Sequence, residues 1–410
     1  LKTLLRLLAL GVALAAGSPV ATQARDAAFE RFLAEIRPEA EAAGVSRATF
    51  DRETNGLEPD LKLPDLALPG RPATGASKQP EFVSLPADYV RETTIAGLAS
   101  TGRRLAATHA DALARLEERF GVPGNVVLAI WGRETDYGRA ADRLDALRVV
   151  ATQAFVGRRK EQFRKEFVLA LKILDEGAVK RSEFRSSWAG ATGLTQFLPS
   201  EYYDHGADLD GDGRVDIWHS VPDALASAAK QLADKGWQPG TPWAIEVRAP
   251  AATDCTLGVP DNRRPIGAWV DAGFTPVRGR VLTAAERAEP ASLLQPEGAR
   301  GPAFLTTKNY FVIKEYNFSD LYVLFVGHLA DRIAGGERFA TPWAATTRLE
   351  TAGVETVQRH LARLGFYRDK IDGKAGMLTR SAVGAYQKAT GAAVDCWPSE
   401  SVARALAATP

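Results

Sequence analysis

NVVLAIWGRETDYG, residues 125–138, sets one carboxylate at the end of an apolar stripe. On a helix Val127, Ile130, Trp131 and Glu134 share a face, because residues three and four apart are neighbours. A carboxylate beside three large apolar groups is poorly hydrated, which disfavours its charged form and raises its pKa. An acid still protonated near neutral pH is what cleavage of a glycosidic bond needs at the leaving oxygen. A second reading fits the same residues: a buried glutamate held in an ion pair by Arg133 or Arg139. On this segment alone the ion pair is the simpler account. The next acids, Asp136 and Asp145, do not help. Asp136, two residues on, lies on another side of the helix, a poor geometry for a carboxylate pair.

About 50 residues downstream comes RSSWAGATGLTQFLP, residues 185–199. Ala189, Gly190 and Gly193 permit close backbone approach. Ser187 and Gln196 put a hydroxyl and an amide among aromatic and apolar neighbours, a mixture suited to a sugar-binding groove. A tight contact between helices with a satisfied glutamine would use the same residues.

The 410 residues exceed one ordinary core, and about 150 residues per domain predicts two or three units. A net charge of +1 provides no global basic field, so nucleic acid is not an expected partner. The opening LKTLLRLLALGVALAAGSPVATQA reads as a signal peptide, 1–24: Lys2 and Arg6, an apolar run, then small residues. That run is shorter than the roughly 20 residues of a membrane-spanning helix. An exported, periplasmic and soluble mature chain, acting as a monomer, is therefore expected. Cys255 and Cys396 could pair in an oxidising compartment. They lie far apart in sequence and lack metal-ligand spacing, and the balance is against a bridge.

Helical periodicity marks 25–55, Ile95 to Phe120, a helix from Asn125, another over 158–178 and one over 319–334. Residues 57–86, rich in proline and glycine, read as a draped extended segment or a linker, and 238–310 as loops and short strands. A boundary falls near GGERFATPW, after which 350–410 forms a compact unit with Val354, Val357, Leu361 and Leu364 on one helix.

In order, the two quoted segments resemble the lytic murein transglycosylase B family. PEF at 80–82, GADLDGDGRVDIW (206–218), the helix VPDALASAAKQLADKGW (221–237) and KNYFVIKEYNFSDLY (308–322) are similar to further blocks of that family. The resemblance covers most of 25–340. It implies a mainly α, lysozyme-like catalytic domain over 25–340 with a small loop and strand subdomain. It further implies peptidoglycan glycan strands as the partner, cleaved between N-acetylmuramic acid and N-acetylglucosamine to leave 1,6-anhydromuramoyl ends. Glu134 would be the sole catalytic carboxylate, with Ser187, Gln196, Tyr316, Asn317 and Tyr322 around the cleft and 308–322 supplying a closing strand and helix. Where relatives often carry Tyr, this chain has Gln231, which alters one wall of the sugar site. A hydrolytic muramidase and a non-catalytic wall-binding scaffold are the alternatives.

Residues 354–391 resemble the peptidoglycan-binding type 1 repeat through LARLGFY, IDGKAG, TRSAV and YQ. The implied unit is small and all-α and holds the enzyme on its polymer by tethering. No cofactor is required for the chemistry. Asp208, Asp210, Asp212 and Asp216 occupy positions one, three, five and nine of an EF-hand-like loop, with Gly213 at the turn and the Arg214 carbonyl at position seven. Position twelve is His219, so Asp223 is the expected remaining ligand of a structural Ca2+.

Overall fold

The computed structural model describes residues 19–70, 79–140, 142–251 and 253–409. The expected signal segment lies outside these residues up to position 18. Its end is taken up in the first helix.

Helix α1 (Pro19–Ala42) is followed by α2 (Arg47–Thr54). The break between them, where one helix was expected, falls at Gly44, whose φ of 95° suits glycine, and Ser46 then caps α2 through Thr49 N–H. Two single turns, α3 (Pro80–Val83) and α4 (Pro86–Tyr89), each begin with proline, which is preset for a first helical turn. The periodicity from Ile95 to Phe120 resolves into α5 (Glu92–Thr108) and α6 (Ala110–Phe120), and Gly121 in the left-handed conformation ends the second. Helix α7 (Gly124–Thr135) carries WGRET.

Strand β1 (Leu144–Asp145) pairs with β2 (Arg185–Ser186) around α8 (Ala146–Val156) and α9 (Lys160–Asp175). Helix α8 has no period in the sequence because nearly all of it is buried, from Ala146 to Ala154. Helices α10 (Pro199–His205) and α11 (Val221–Asp234) follow. Next come β3 (Ala244–Arg248), β4 (Arg264–Pro265), α12 (Ile266–Asp271), β5 (Thr275–Pro276), α13 (Ala284–Ala288), β6 (Pro290–Leu294) and β7 (Ala303–Thr306). Their strands form one antiparallel sheet in the order β4-β6-β7-β3-β5 over a core of Ile245, Trp269, Phe274 and Leu305. The block at 308–322 is not a strand and a helix. It is α14 (Lys308–Asn317) and the start of α15 (Asp320–Ile333), and the strand β7 precedes it.

Two helical cores meet at the site. One gathers α5, α6, α7, α11 and α15; the other gathers α1, α2, α8 and α9. Leu194 and Tyr316 pack against both, so the seam between the cores runs beside them. Helix α7 is not half exposed as its stripe implied: Leu128 and Ala129 are as fully buried as Val127 and Ile130.

The last unit comprises α16 (Thr351–Arg363), α17 (Met377–Ala389) and α18 (Glu400–Ala408) around Val357, Leu361, Val383 and Leu406. It is docked against the catalytic body. Cys255 and Cys396 form a disulfide, against expectation, because the sheet region and the end of the chain are brought together in space. Beside it Ser381 Oγ donates to the Thr256 carbonyl and Arg300 pairs with Asp395. Asp320 is the buried hub of the contact. It accepts hydrogen bonds from Tyr310 Oη (2.7 Å), Lys314 Nζ (2.6 Å) and, from the C-terminal unit, Arg380 (3.1 Å).

Candidate active site

Glu134 occupies the last turn of α7, and the chain reverses sharply just beyond it. Asp136, Tyr137 and Gly138 all have positive φ, at 50°, 58° and 80°. Two consecutive non-glycine residues in this region cost energy that their surroundings must supply. The Tyr137 ring supplies it. Its hydroxyl donates to the Leu98 carbonyl (2.9 Å), and it meets the Trp131 ring edge-on at 5.5 Å. Gly132 and Gly102 leave it room: a Cβ on either would lie 2.6 Å from Tyr137 atoms. Thr135 Oγ1 donates to the Leu194 carbonyl (2.8 Å) and accepts from Gly138 N–H (3.1 Å), which ties the end of α7 to the 185–199 segment.

That segment is an irregular loop and makes no contact between helices. Thr192 bridges to Ser186 and to Phe197. Gly193, at φ 77°, lies so close to Ile217 that a Cβ would sit 2.8 Å from its carbonyl oxygen. The tight backbone presents Gln196 to the seam, where its amide donates to Asp142 (2.6 Å) and to the Gly193 carbonyl (3.1 Å).

Glu134, Ser187, Gln196, Tyr316, Asn317 and Tyr322 all line one cleft of about 550 Å3, within the range of ligand sites. Tyr322 Oη donates to Glu134 Oε1 at 2.5 Å across 188 residues of sequence. The Tyr316 and Tyr322 rings stack at 6.2 Å, and Tyr316 Oη donates to the Thr195 carbonyl (2.7 Å). Asn317 Oδ1 is a buried acceptor with no partner among the described residues.

The ion-pair reading of Glu134 does not hold. Arg133 sends Nε and Nη2 to Tyr89 Oη (3.1 and 2.5 Å) and lies between the Tyr89 and Phe325 rings. Arg139 pairs with Asp136 (2.7 Å). Burial raises the pKa of Glu134 to about 7; the Tyr322 hydrogen bond and the Arg133 charge pull it back, and Glu81 and Glu201 add to the rise. Glu134 is therefore a carboxyl group poised between its two protonation states at neutral pH.

Sequence reasoning missed Glu81 and Glu201, which line the same cleft. Glu81 stood inside PEF without an assigned role. Glu201 is the third residue of α10; one oxygen accepts Leu198 N–H and the other accepts from Gln231 Nε2 (3.1 Å). Gln231 thus fills its wall of the cleft as a buried amide, with Oε1 unpartnered among the described residues. Asp145 is elsewhere, capping α8 and paired with Arg181.

At the acidic loop one carboxylate oxygen each of Asp208, Asp210 and Asp212 lies within 4.8 Å of the others. Asp223 does not join them. It is 1% exposed, and its oxygens accept the backbone N–H groups of Leu209, Asp210 and Asp216, so it braces the loop from beneath. Asp216 holds His219 through its ring nitrogen (3.1 Å) and its backbone N–H. Arg214 donates its N–H to Asp212 and its guanidinium to the Gly177 carbonyl.

A helical body in two cores, a sheet appended to one side and a shielded acid, Glu134, in the seam define a lysozyme-like, mainly α catalytic unit. Residues 28–331 match the transglycosylase SLT domain family, and the chain belongs to it. Residues 350–406 match the peptidoglycan binding domain family.

Among individual proteins, a stretch of 229 residues is 30% identical to the membrane-bound lytic murein transglycosylase B of Escherichia coli strain K12. That stretch is 55% of this chain and spans 60% of the relative's length. SltB3 of Pseudomonas aeruginosa, solved with NAG-anhNAM-pentapeptide, is 38% identical and superposes with a TM-score of 0.83, over 92% of this chain and 99% of that one. The Escherichia coli lytic transglycosylase Slt35, solved with calcium, is 28% identical with a TM-score of 0.52, over 61% of this chain and 77% of that one. No helix among the described residues is long and apolar enough to cross a membrane.

Proposed function

We propose that this chain is a peptidoglycan lytic transglycosylase, cleaving the β-1,4 bond between N-acetylmuramic acid and N-acetylglucosamine with formation of 1,6-anhydromuramoyl ends. The observation that carries this is Glu134: a shielded carboxyl near its midpoint at neutral pH, held by Tyr322 and without an arginine ion pair among the described residues. Protonated Glu134 gives its proton to the glycosidic oxygen as the C1–O bond breaks. The acetamido oxygen of the muramoyl residue bonds to C1 and carries the positive charge, so a second carboxylate is not needed there. Glu134, now a carboxylate, takes the proton of the 6-hydroxyl. O6 bonds to C1, and the acetamido group is released unchanged. Asn317 Oδ1, an acceptor without a protein partner, suits the acetamido N–H. Tyr316 lines the cleft, and Ser187 and Gln196 offer polar groups to sugar hydroxyls.

Two measurements test the reading. Glu134→Gln should abolish release of soluble products from purified sacculi, and undiminished release would end it. Mass spectrometry of wild-type products separates it from a muramidase, because anhydro ends are lighter by one water. The family's chemistry and the peptidoglycan-binding unit support action in the periplasm on glycan strands, and the Pseudomonas relative was solved with NAG-anhNAM-pentapeptide.

A structural calcium fits the loop at 208–219. Three converging carboxylates are hard donors of the kind Ca2+ takes, and Arg214 would add its carbonyl. With His219 at position twelve the bidentate carboxylate is lacking, which places affinity in the weak range of extracellular modules. Calcium should raise the melting temperature of the wild type and leave Asp210→Asn unmoved. Equal curves with and without the ion would refute the site.

A further inference from the structure

The cleft does not end at the sugar site. Glu81 and Phe318 line it and also line a second cavity of about 100 Å3, where the catalytic body meets the C-terminal unit. That cavity has cations from both sides. Two of them, Lys314 and Arg380, share Asp320 and are neutralised by it in part.

The other two are not. Arg348 spends its guanidinium on the backbone carbonyls of Val83 (2.6 Å) and Phe82 (2.7 Å). Lys374 rests its ammonium over the Phe82 ring, 3.5 Å from the centroid. Neither has a carboxylate within ion-pair distance among the described residues, although Glu81 and Asp372 act on Lys374 from further away. Burial lowers the pKa of both groups, the mark of positive charge held short of water, while Glu350 acts on Arg348, and Asp372 and Glu81 on Lys374, in the opposite direction from further away. A half-buried cation that has carbonyls or a ring beside it but no carboxylate in contact gains from an anion that comes to share the site.

Lys374 is there by construction. It belongs to the IDGKAG loop, which Gln358 fastens by accepting Asp372 and Gly373 N–H and donating to Asp372 and the Lys374 carbonyl. The disulfide and the Asp320–Arg380 pair fix that loop against the catalytic body.

We propose that this junction is a recognition site for the peptide stem of the glycan strand, in which Lys374 and Arg348 take a stem carboxylate while the sugars lie at Glu134. The inference rests on the transglycosylase reading. A stem hangs from the muramoyl residue beside the bond to be cut and ends in a carboxylate, as any free peptide does. The cavity has room for one small terminal residue, and its surplus charge has the matching sign. The C-terminal unit is then part of the specificity of the cleft as well as a hold on the polymer.

The test compares kcat/KM on two substrates: strands that keep their stems, and strands stripped by an amidase that cuts the lactyl–peptide bond. In Lys374→Ala the ratio of the first to the second should fall about tenfold, the loss of one charge-assisted hydrogen bond worth about 1.4 kcal/mol. Lys374→Arg, which keeps the charge, should recover most of it. Arg348→Ala, checked by its melting curve, should lower the same ratio. A ratio equal to that of the wild type in Lys374→Ala overturns the proposal, whether absolute rates are kept or fall together. If the wild type cuts neither substrate, the enzyme reading itself has failed.

Discussion

Removing one hydroxyl should move the pH range in which this enzyme works. Tyr322 Oη donates to Glu134 Oε1 at 2.5 Å, in a site where Tyr322 is 1% exposed. The bond favours the ionised carboxylate and so restrains the rise that burial imposes on Glu134. A hydrogen bond to a charged group is worth about 1.5–3 kcal/mol, and one pH unit corresponds to about 1.4 kcal/mol. In Tyr322→Phe the Glu134 midpoint should therefore climb by about one to two pH units from its value of about 7. The alkaline limb of kcat/KM reports the acid of the free enzyme, and it should shift upward by that amount. Product release from defined glycan strands, followed from pH 5 to 10, measures it. Peak activity should fall as well, since the deprotonated base is now harder to reach. An alkaline limb that stays in place or moves down would refute the assignment of Glu134 as the acid, or of Tyr322 as its restraint.

Three further outcomes are expected. Glu134 has a folded pKa above its unfolded value, so its contribution is intact below about 4.5 and is lost as pH rises through about 7. Glu134→Gln should accordingly be more stable than the wild type at pH 8, by up to about 3 kcal/mol, and level with it at pH 4; thermal melts at both pH values check this. Asp320→Asn should cost about 3–5 kcal/mol by stranding Lys314 and Arg380. Because Asp320 is held well below the usual carboxylate range by those two cations, the difference from the wild type should be full at neutral pH and shrink only below about pH 4, as denaturant melts will show. Replacing both Cys255 and Cys396 by serine should lower stability by about 2–5 kcal/mol, and dithiothreitol should do the same to the wild type while leaving the double variant unchanged.

The parts of this molecule that were legible in sequence share a property: their signal is local. Glu134 and Gln196 sit in short segments whose composition is itself unusual, and the acidic loop repeats aspartate at alternate positions. The parts that were hidden depend on distant pairings. Tyr322 was expected at the cleft, but its bond to Glu134, like that of Cys396 to Cys255, comes only from the packing of whole helices. Asp223 was assigned to the ion because it is a nearby carboxylate, but three backbone N–H groups have prior hold on it. Helix α8 escaped notice because burial on all sides erases the alternation that periodicity needs. Glu201 escaped because its role is set by a capping contact and by Gln231, neither of which a motif displays.

The bridge from Cys255 to Cys396 spans 141 positions and ends close to the last helix. Until Cys396 joins the fold, Cys255 remains a free thiol beside the sheet. The loop that carries Lys374 lies within that span, so its covalent lock against the catalytic body forms only when the two thiols meet under oxidising conditions. A reduced copy would hold the acid and its tyrosine but leave the junction without its covalent tie. The redox state of one bond and the closure of the junction become a single variable.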